Sequence, residues 1–294
     1  MILPLILASI TAILFGVSKV LIKLAGDVNS FSSVLYTLLV APPILLCFAA
    51  INGDFFKTYN LDLLTIVDLL VAGAFQLAIG RVFAYSSIKL IGASRASQLT
   101  STQIFFAAIL SVLLQNEEMT LTIGVGTLAI FCGELLVLMS NPEEKGQKLS
   151  KSYSFQKGVA YGLIGGFIWG ASQLFAKDGS RRLGSPIMAS LFAYIFAIII
   201  QFTITINSAE SKTKIPLERA KYLFLSGIAS TFGLIAQYTA LLIEQVIWVT
   251  PIVNTSPLIT LFVSYILIPK AELINWRLII GAIIVVLGVL FITF

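Results

Sequence analysis

The chain has 294 residues, of which 58% are hydrophobic and only 11% charged, with no histidine and a formal net charge of +5; its mean hydropathy is +0.98. A soluble domain carries about 25% charged residues and cannot hide this much apolar surface, so a water-soluble fold is excluded. The absence of histidine excludes a His-based metal site and a Ser-His-Asp triad, and no GxxxxGK[ST] loop is present to serve an ATP-driven pump. No cluster of carboxylates marks a metal site, so neither metal nor cofactor is expected and the chain does not read as an enzyme.

A membrane span needs about 20 mostly apolar residues. Ten such runs occur, at 2–24, 33–52, 62–87, 93–114, 121–140, 158–177, 185–207, 218–243, 246–268 and 273–294. They are long and not strictly alternating, which predicts helices and not barrel strands. The first run opens Met1-Ile2-Leu3-Pro4 without a basic n-region and reads as a retained helix. Along it Ser9, Ala12, Gly16, Lys19 and Lys23 fall at three- and four-residue steps, one face that is small at one end and cationic at the other. Lys23, near the helix end, reads as snorkelling to the interface, while Lys19 lies a turn deeper. Cys47 in the second run and Cys132 in the fifth read as buried small hydrophobes, with no case for a disulfide.

The third run carries Gln76, Gly80, Arg81, Ala84 and Tyr85, with Asp68 near its start. A centrally placed arginine costs roughly 2.5–3.5 kcal/mol on insertion scales, so Arg81 needs a partner or water. Glu134 in the fifth run is one candidate partner; a substrate carboxylate or phosphate, which suits the guanidinium fork, is another. The fourth run offers Ser97, Thr100, Ser101 and Gln103. After the only long hydrophilic connection, 141–157, the sixth run repeats the pattern of the first as Gly162, Gly166, Trp169, Gln173 and Lys177, the last again a snorkelling candidate. The eighth presents Ser226, Ser230, Gly233 and Gln237 on one stripe beside Tyr238. In the ninth, Pro251 and Pro257 bracket Asn254 and predict a bend with freed carbonyls; Trp248 reads as an interface anchor.

The pattern is therefore duplicated: a first five-helix repeat over 1–140, a polar linker over 141–157 and a second repeat over 158–294. Phe15-Gly16-Val17-Ser18 answers to Trp169-Gly170-Ala171-Ser172, Ala84-Tyr85 to Gln237-Tyr238, and Glu117 with Gly126 and Gly133 to Glu272 with Gly281 and Gly288. Five is odd, so the second repeat enters the membrane in the opposite sense, about a pseudo-two-fold axis in the membrane plane. Basic residues gather on one set of loops (Lys89, Arg95, Lys145, Lys148, Lys151, Lys157, Lys212, Lys214, Arg219, Lys221, Lys270 and Arg277), against Lys57, Arg181 and Arg182 on the other. The positive-inside rule puts the first set in the cytoplasm and both termini outside.

This layout resembles the drug/metabolite transporter superfamily in its EamA-type ten-helix branch. The matching marks are the (Phe/Trp)-Gly-x-Ser elements at Phe15 and Trp169, Asn254-Thr255-Ser256-Pro257, and the doubled Glu-then-Gly-x6-Gly pattern at Glu117 and Glu272. The resemblance covers essentially the whole chain. It implies an all-α integral membrane protein of ten transmembrane helices, a basket of two inverted halves around a central cavity, with the fifth and tenth helices peripheral. It also implies alternating access for small metabolites and, in many members, cytoplasmic termini. Ile104 stands where proline is usual in the fourth helix.

The expected function is a secondary transporter of small polar or amphipathic metabolites, such as amino acids, in the plasma membrane. Candidate substrate-binding residues are Lys19, Gln76, Arg81, Tyr85, Trp169, Gln173, Gln237, Tyr238 and Asn254. The aromatics among them could instead form a box for choline or another organic cation, which Lys19 and Arg81 oppose. A bundle of this kind could also serve as a non-transporting sensor or as a lipid flippase. The expected partners are a small-molecule substrate and the lipid bilayer, not nucleic acid, with the protein a monomer or homodimer.

Overall fold

The computed structural model describes residues 2–26, 28–57, 59, 61–91, 96, 99–138, 153–207, 215–267 and 276–293, and no strand occurs among them. Ser97, Arg95, Glu272, Lys270, Lys212, Lys214, Lys145, Lys148 and Lys151 lie outside the described residues, as do 141–152 of the linker and the side chain of Lys89. Ten helical segments run through the described residues: α1 (Ile2–Ala25), α2 (Ser30–Ile51), α3 (63–91), α4 (Leu99–Gln115), α5 (Leu121–Leu138), α6 (Tyr153–Leu183), α7 (Pro186–Asn207), α8 (Leu217–Ile243), α9 (Val246–Leu267) and α10 (Trp276–Thr293). Among the described residues seven are long and apolar enough to cross a bilayer, and α4, α5 and α10 contribute three shorter apolar helices. The sixth helix begins earlier and ends later than the apolar run at 158–177, because Tyr153–Lys157 continue the helix that hydropathy alone cuts short.

Local chemistry sets several ends. Gly26 and Gly184 take the left-handed φ of +70° and +72° that glycine allows, closing α1 and α6. Asn29 accepts hydrogen bonds from the backbone N–H of Phe31 and Ser32 and so caps α2, and Asp62 caps α3 through the N–H of Thr65.

Packing follows the duplication. α1 lies against α8 and α9, and α6 lies against α3 and α4; α2 packs on α7, and α5 on α10. Exchanging each helix for its counterpart in the other half returns the same pairs, as a pseudo-two-fold axis requires. With five helices per half, that makes the fold two inverted repeats. Small residues permit the close contacts. A Cβ at Gly133 would sit 2.7 Å from the Gly281 carbonyl oxygen and one at Gly126 2.7 Å from that of Gly288, so the paired Gly-x6-Gly faces join α5 to α10. The outer surface remains apolar, with Ile6, Ile13, Ile109, Leu113, Ile199, Phe202, Ile283 and Val286 exposed, as lipid contact demands. Cys47 and Cys132 are exposed on it as well, not buried. Trp248, the third residue of α9, is half-buried and packs against Ile104, Ile130 and Val285 on one side and Ala108 and Ile123 on the other.

Two helices break at corresponding places. α9 is interrupted at Asn254 and Thr255 between its prolines. α4 is interrupted at Thr102 without any proline, its hydroxyl donating to the Leu99 carbonyl. α3 widens into a π-helical stretch over Gly73–Ile79. Gly73 presses on the backbone of Ala193, and Gly80 on the indole of Trp169. Such widening leaves backbone groups available for other partners and recurs at functional sites.

Candidate functional site

Between the two halves lies a cavity of about 470 Å³, walled by α1, α2, α3, α4, α6, α8 and α9. It reaches Lys23, Gly26 and Val28 at the end of α1 and Ala96 near the start of α4, and therefore opens toward the face that carries the basic loops.

One wall is cationic and comes from the first half. Lys19, Lys23 and Arg81 all line it, with Tyr85 alongside. The Lys19 ammonium donates to the Ser256 hydroxyl at 2.9 Å, which ties α1 to the broken helix α9. Arg81 donates through Nη1 to the Thr37 hydroxyl at 3.4 Å. The pairing of Arg81 with Glu134 considered from the sequence does not form. Glu134 instead accepts from Asn254 Nδ2 at 3.4 Å and bonds with Ser101. Its Oε1 oxygen is buried without a hydrogen-bond partner among the described residues.

The other wall is built of amides, two of the three from the second half. Gln76 Nε2 donates to Gln237 Oε1 at 2.7 Å, and Gln237 Nε2 donates to Gln173 Oε1 at 2.8 Å. This chain crosses α3, α8 and α6. The Trp169 indole donates to the Gln76 carbonyl at 3.0 Å, inside the π-helical stretch, which fixes both the ring and the widened turn. Sequence-equivalent positions thus differ in chemistry: Lys19 answers to Gln173, and Arg81 to the buried Leu234.

Lys19, Gln76, Arg81, Tyr85, Trp169, Gln173 and Gln237 meet at the cavity. Tyr238 and Asn254 do not line it. Tyr238 is fully buried, its hydroxyl 3.4 Å from Gln76 Oε1. Asn254 lies behind the wall, bridging the two helix breaks by accepting from Gln103 and donating to the Ser101 carbonyl. Lining residues that do not stand out in the sequence as site candidates are Lys23, Ser30, Ser33, Ser256 and Thr260. Lys23 continues the Lys19 face by one turn, a signal that was present. Ser30 precedes the apolar run, so hydropathy gave it no weight.

The opposite end is sealed. Asn116 takes a left-handed φ of 53° and ends α4, turning the chain so that Glu117 enters the protein. The Glu117 carboxylate bonds to the Lys177 ammonium and accepts from the N–H groups of Val246 and Ile247 at 2.9 and 3.0 Å, at the start of α9. Lys177 also donates to Gln115 Oε1 at 3.1 Å. Lys177 is therefore buried and paired, not snorkelling, and it lies one turn beyond Gln173 at the cavity floor. A helix N-terminus favours such a carboxylate.

An all-helical membrane bundle with a one-ended cavity that sets cationic and amide side chains among apolar ones, at the interface of inverted repeats, has the architecture of a small-solute transporter. The profile of the EamA-like transporter family matches residues 2–139 and again 156–294, and the chain belongs to that family. Two proteins of Archaeoglobus fulgidus, each described as an uncharacterized transporter, are similar to it. One is 24% identical over 264 residues, covering 90% of this chain and 88% of its own. The second is 26% identical over 290 residues, covering 97% and 95%. A solved crystal structure matches the fold with a TM-score of 0.81 over 98% of this chain and 94% of its own, at 14% identity.

Proposed function

We propose that the protein is a secondary transporter that carries small polar or amphipathic metabolites, amino acids or related compounds, by alternating access through the central cavity. The observation that carries this reading is a cavity open at one end and closed at the other by the buried Glu117–Lys177 pair, with walls from both repeats. Its volume of about 470 Å³ suits a small ligand, since such sites span roughly 300–1,000 Å³. The same fold turned about its pseudo-symmetry axis exposes the cavity to the other side. Charge asymmetry supports a plasma-membrane orientation with the cavity mouth in the cytoplasm and both termini outside.

The test is flux. Purified protein in liposomes is assayed for uptake and counterflow of a labelled amino-acid pool and of choline, with and without a pH gradient. Saturable counterflow of amino acids is the expected result. Choline movement alone would favour the aromatic-box reading, and lipid scrambling without solute flux would replace the transporter by a flippase.

A further inference from the structure

Resting on the transporter reading and narrowing its amino-acid cargo to the acidic members and other small organic anions, we infer that the cargo carries net negative charge, held at the cavity wall by the Arg81 guanidinium with Lys19 and Lys23, and that net-neutral zwitterions and cations are discriminated against. Three cations line the cavity, and no carboxylate is among the described lining residues. Asp27, between Gly26 and Val28, lies outside the described residues.

The three cations are not equivalent. Lys19, a single point donor, is already tied to the Ser256 hydroxyl at 2.9 Å. Among the described residues Arg81 bonds to the neutral Thr37 hydroxyl, and no carboxylate there pairs with it. A guanidinium held in mid-membrane without a counter-charge is costly. A carboxylate or phosphate entering the cavity offsets that cost and receives two parallel N–H bonds from the fork. Lys23, at the mouth, adds attraction along the way in, which low-dielectric walls strengthen by focusing the field.

The remaining walls say what the rest of the cargo meets. Gln76, Gln173 and Gln237 are tied to one another, and their neutral dipoles suit hydroxyl or amide groups. An ammonium group would find no carboxylate among the described lining residues. The ring faces of Tyr85 and Trp169 could attract it, but the Arg81 guanidinium lines the same wall as Tyr85 and repels a cation there. A net anion therefore fits the site better than an amino-acid zwitterion.

The experiment compares matched solutes by charge. Purified protein is titrated with succinate, glycerol 3-phosphate, glutamate, leucine, choline and putrescine, and binding is read from the melting temperature. The same labelled solutes are assayed for counterflow in proteoliposomes. Anions should stabilise and exchange, and Arg81→Gln should weaken anion binding by about ten- to a hundredfold, the range of a lost charge-assisted bond. Arg81→Lys should recover only part of it, because the fork is lost. Lys23→Gln, at the mouth where folding is not at stake, should weaken anion exchange and reduce its dependence on salt. Counterflow confined to leucine, choline or putrescine overturns the anion assignment while leaving the transporter standing. Neither binding nor flux across the whole set overturns the transporter reading and this inference together. Unchanged anion affinity in Arg81→Gln overturns the assigned contact.

Discussion

At the scale of single residues, the charged groups in the bundle divide by whether a partner is built in. Glu117 and Lys177 satisfy each other, and Glu117 has two backbone donors besides. Removing one member of a buried pair leaves an uncompensated charge and costs about 3–5 kcal/mol, whereas replacing both is far less damaging. Lys177→Met should thus lower the melting temperature in detergent sharply, and Glu117→Gln combined with Lys177→Met should recover much of the loss. Equal melting temperatures for the single variant and the wild type would show that the pair does not hold the closed end. The amide chain gives a second case. Gln237→Leu strips the partner from Gln76 Nε2 and from Gln173 Oε1, and each orphaned group costs about 1–3 kcal/mol where water is excluded. Because the chain borders the cavity, the variant should lose affinity for cargo as well as stability, and a flux titration with intact KM would assign these glutamines to packing alone.

At the scale of helices, the doubled glycine pattern has a specific purpose. Gly133 meets the backbone of α10, while a Cβ at Gly124, on the same helix, would meet only the end of Met119 at 3.7 Å. Gly133→Ala should therefore weaken the α5–α10 joint and lower the melting temperature, and Gly124→Ala should leave it unchanged or slightly raised. Equal effects would remove the interface argument. The helix breaks show where sequence reasoning reached and where it stopped. Pro251 and Pro257 announced the interruption of α9. Ile104 gave no such signal in α4, yet α4 breaks at Thr102, because a hydroxyl bonded to the Leu99 carbonyl and the Asn254 bridge do the work of the missing proline. The π-helical stretch of α3 was not legible either. It depends on what Gly73 and Gly80 pack against, Ala193 and Trp169 from other helices, and one-dimensional periodicity carries no record of that.

At the scale of the whole molecule, the inverted duplication was legible because two kinds of signal repeat with the same spacing: glycines that must touch a neighbouring backbone, and polar residues on otherwise apolar faces. The cavity was legible in part for the same reason, since inward-facing polar stripes converge on it. What was not legible was depth. Tyr238 follows Gln237 and so faces away from its stripe into the packed interior, and Asn254 sits in the break of α9 one layer behind the wall, where packing and not hydropathy decides what reaches the cavity. Likewise Lys23 and Lys177 are sequence equivalents, yet one stands at an open mouth and the other inside a sealed end. That asymmetry between equivalent positions is what a single state of an alternating-access machine should display, because the symmetry relates one half now to the other half after the switch.

The side from which the cavity is reached decides most directly whether it is one-ended. Cys47 and Cys132 are replaced by alanine and Ser230, which lines the cavity, is changed to cysteine. The variant is then treated in proteoliposomes with a membrane-impermeant maleimide applied to one face at a time. Without cargo, labelling from the face bearing the basic loops alone is the result predicted; during turnover that labelling should be slowed by transported solute while slow labelling from the other face begins. Equally rapid labelling from both faces without cargo, or none from either, would contradict a one-ended cavity and the transport cycle built on it.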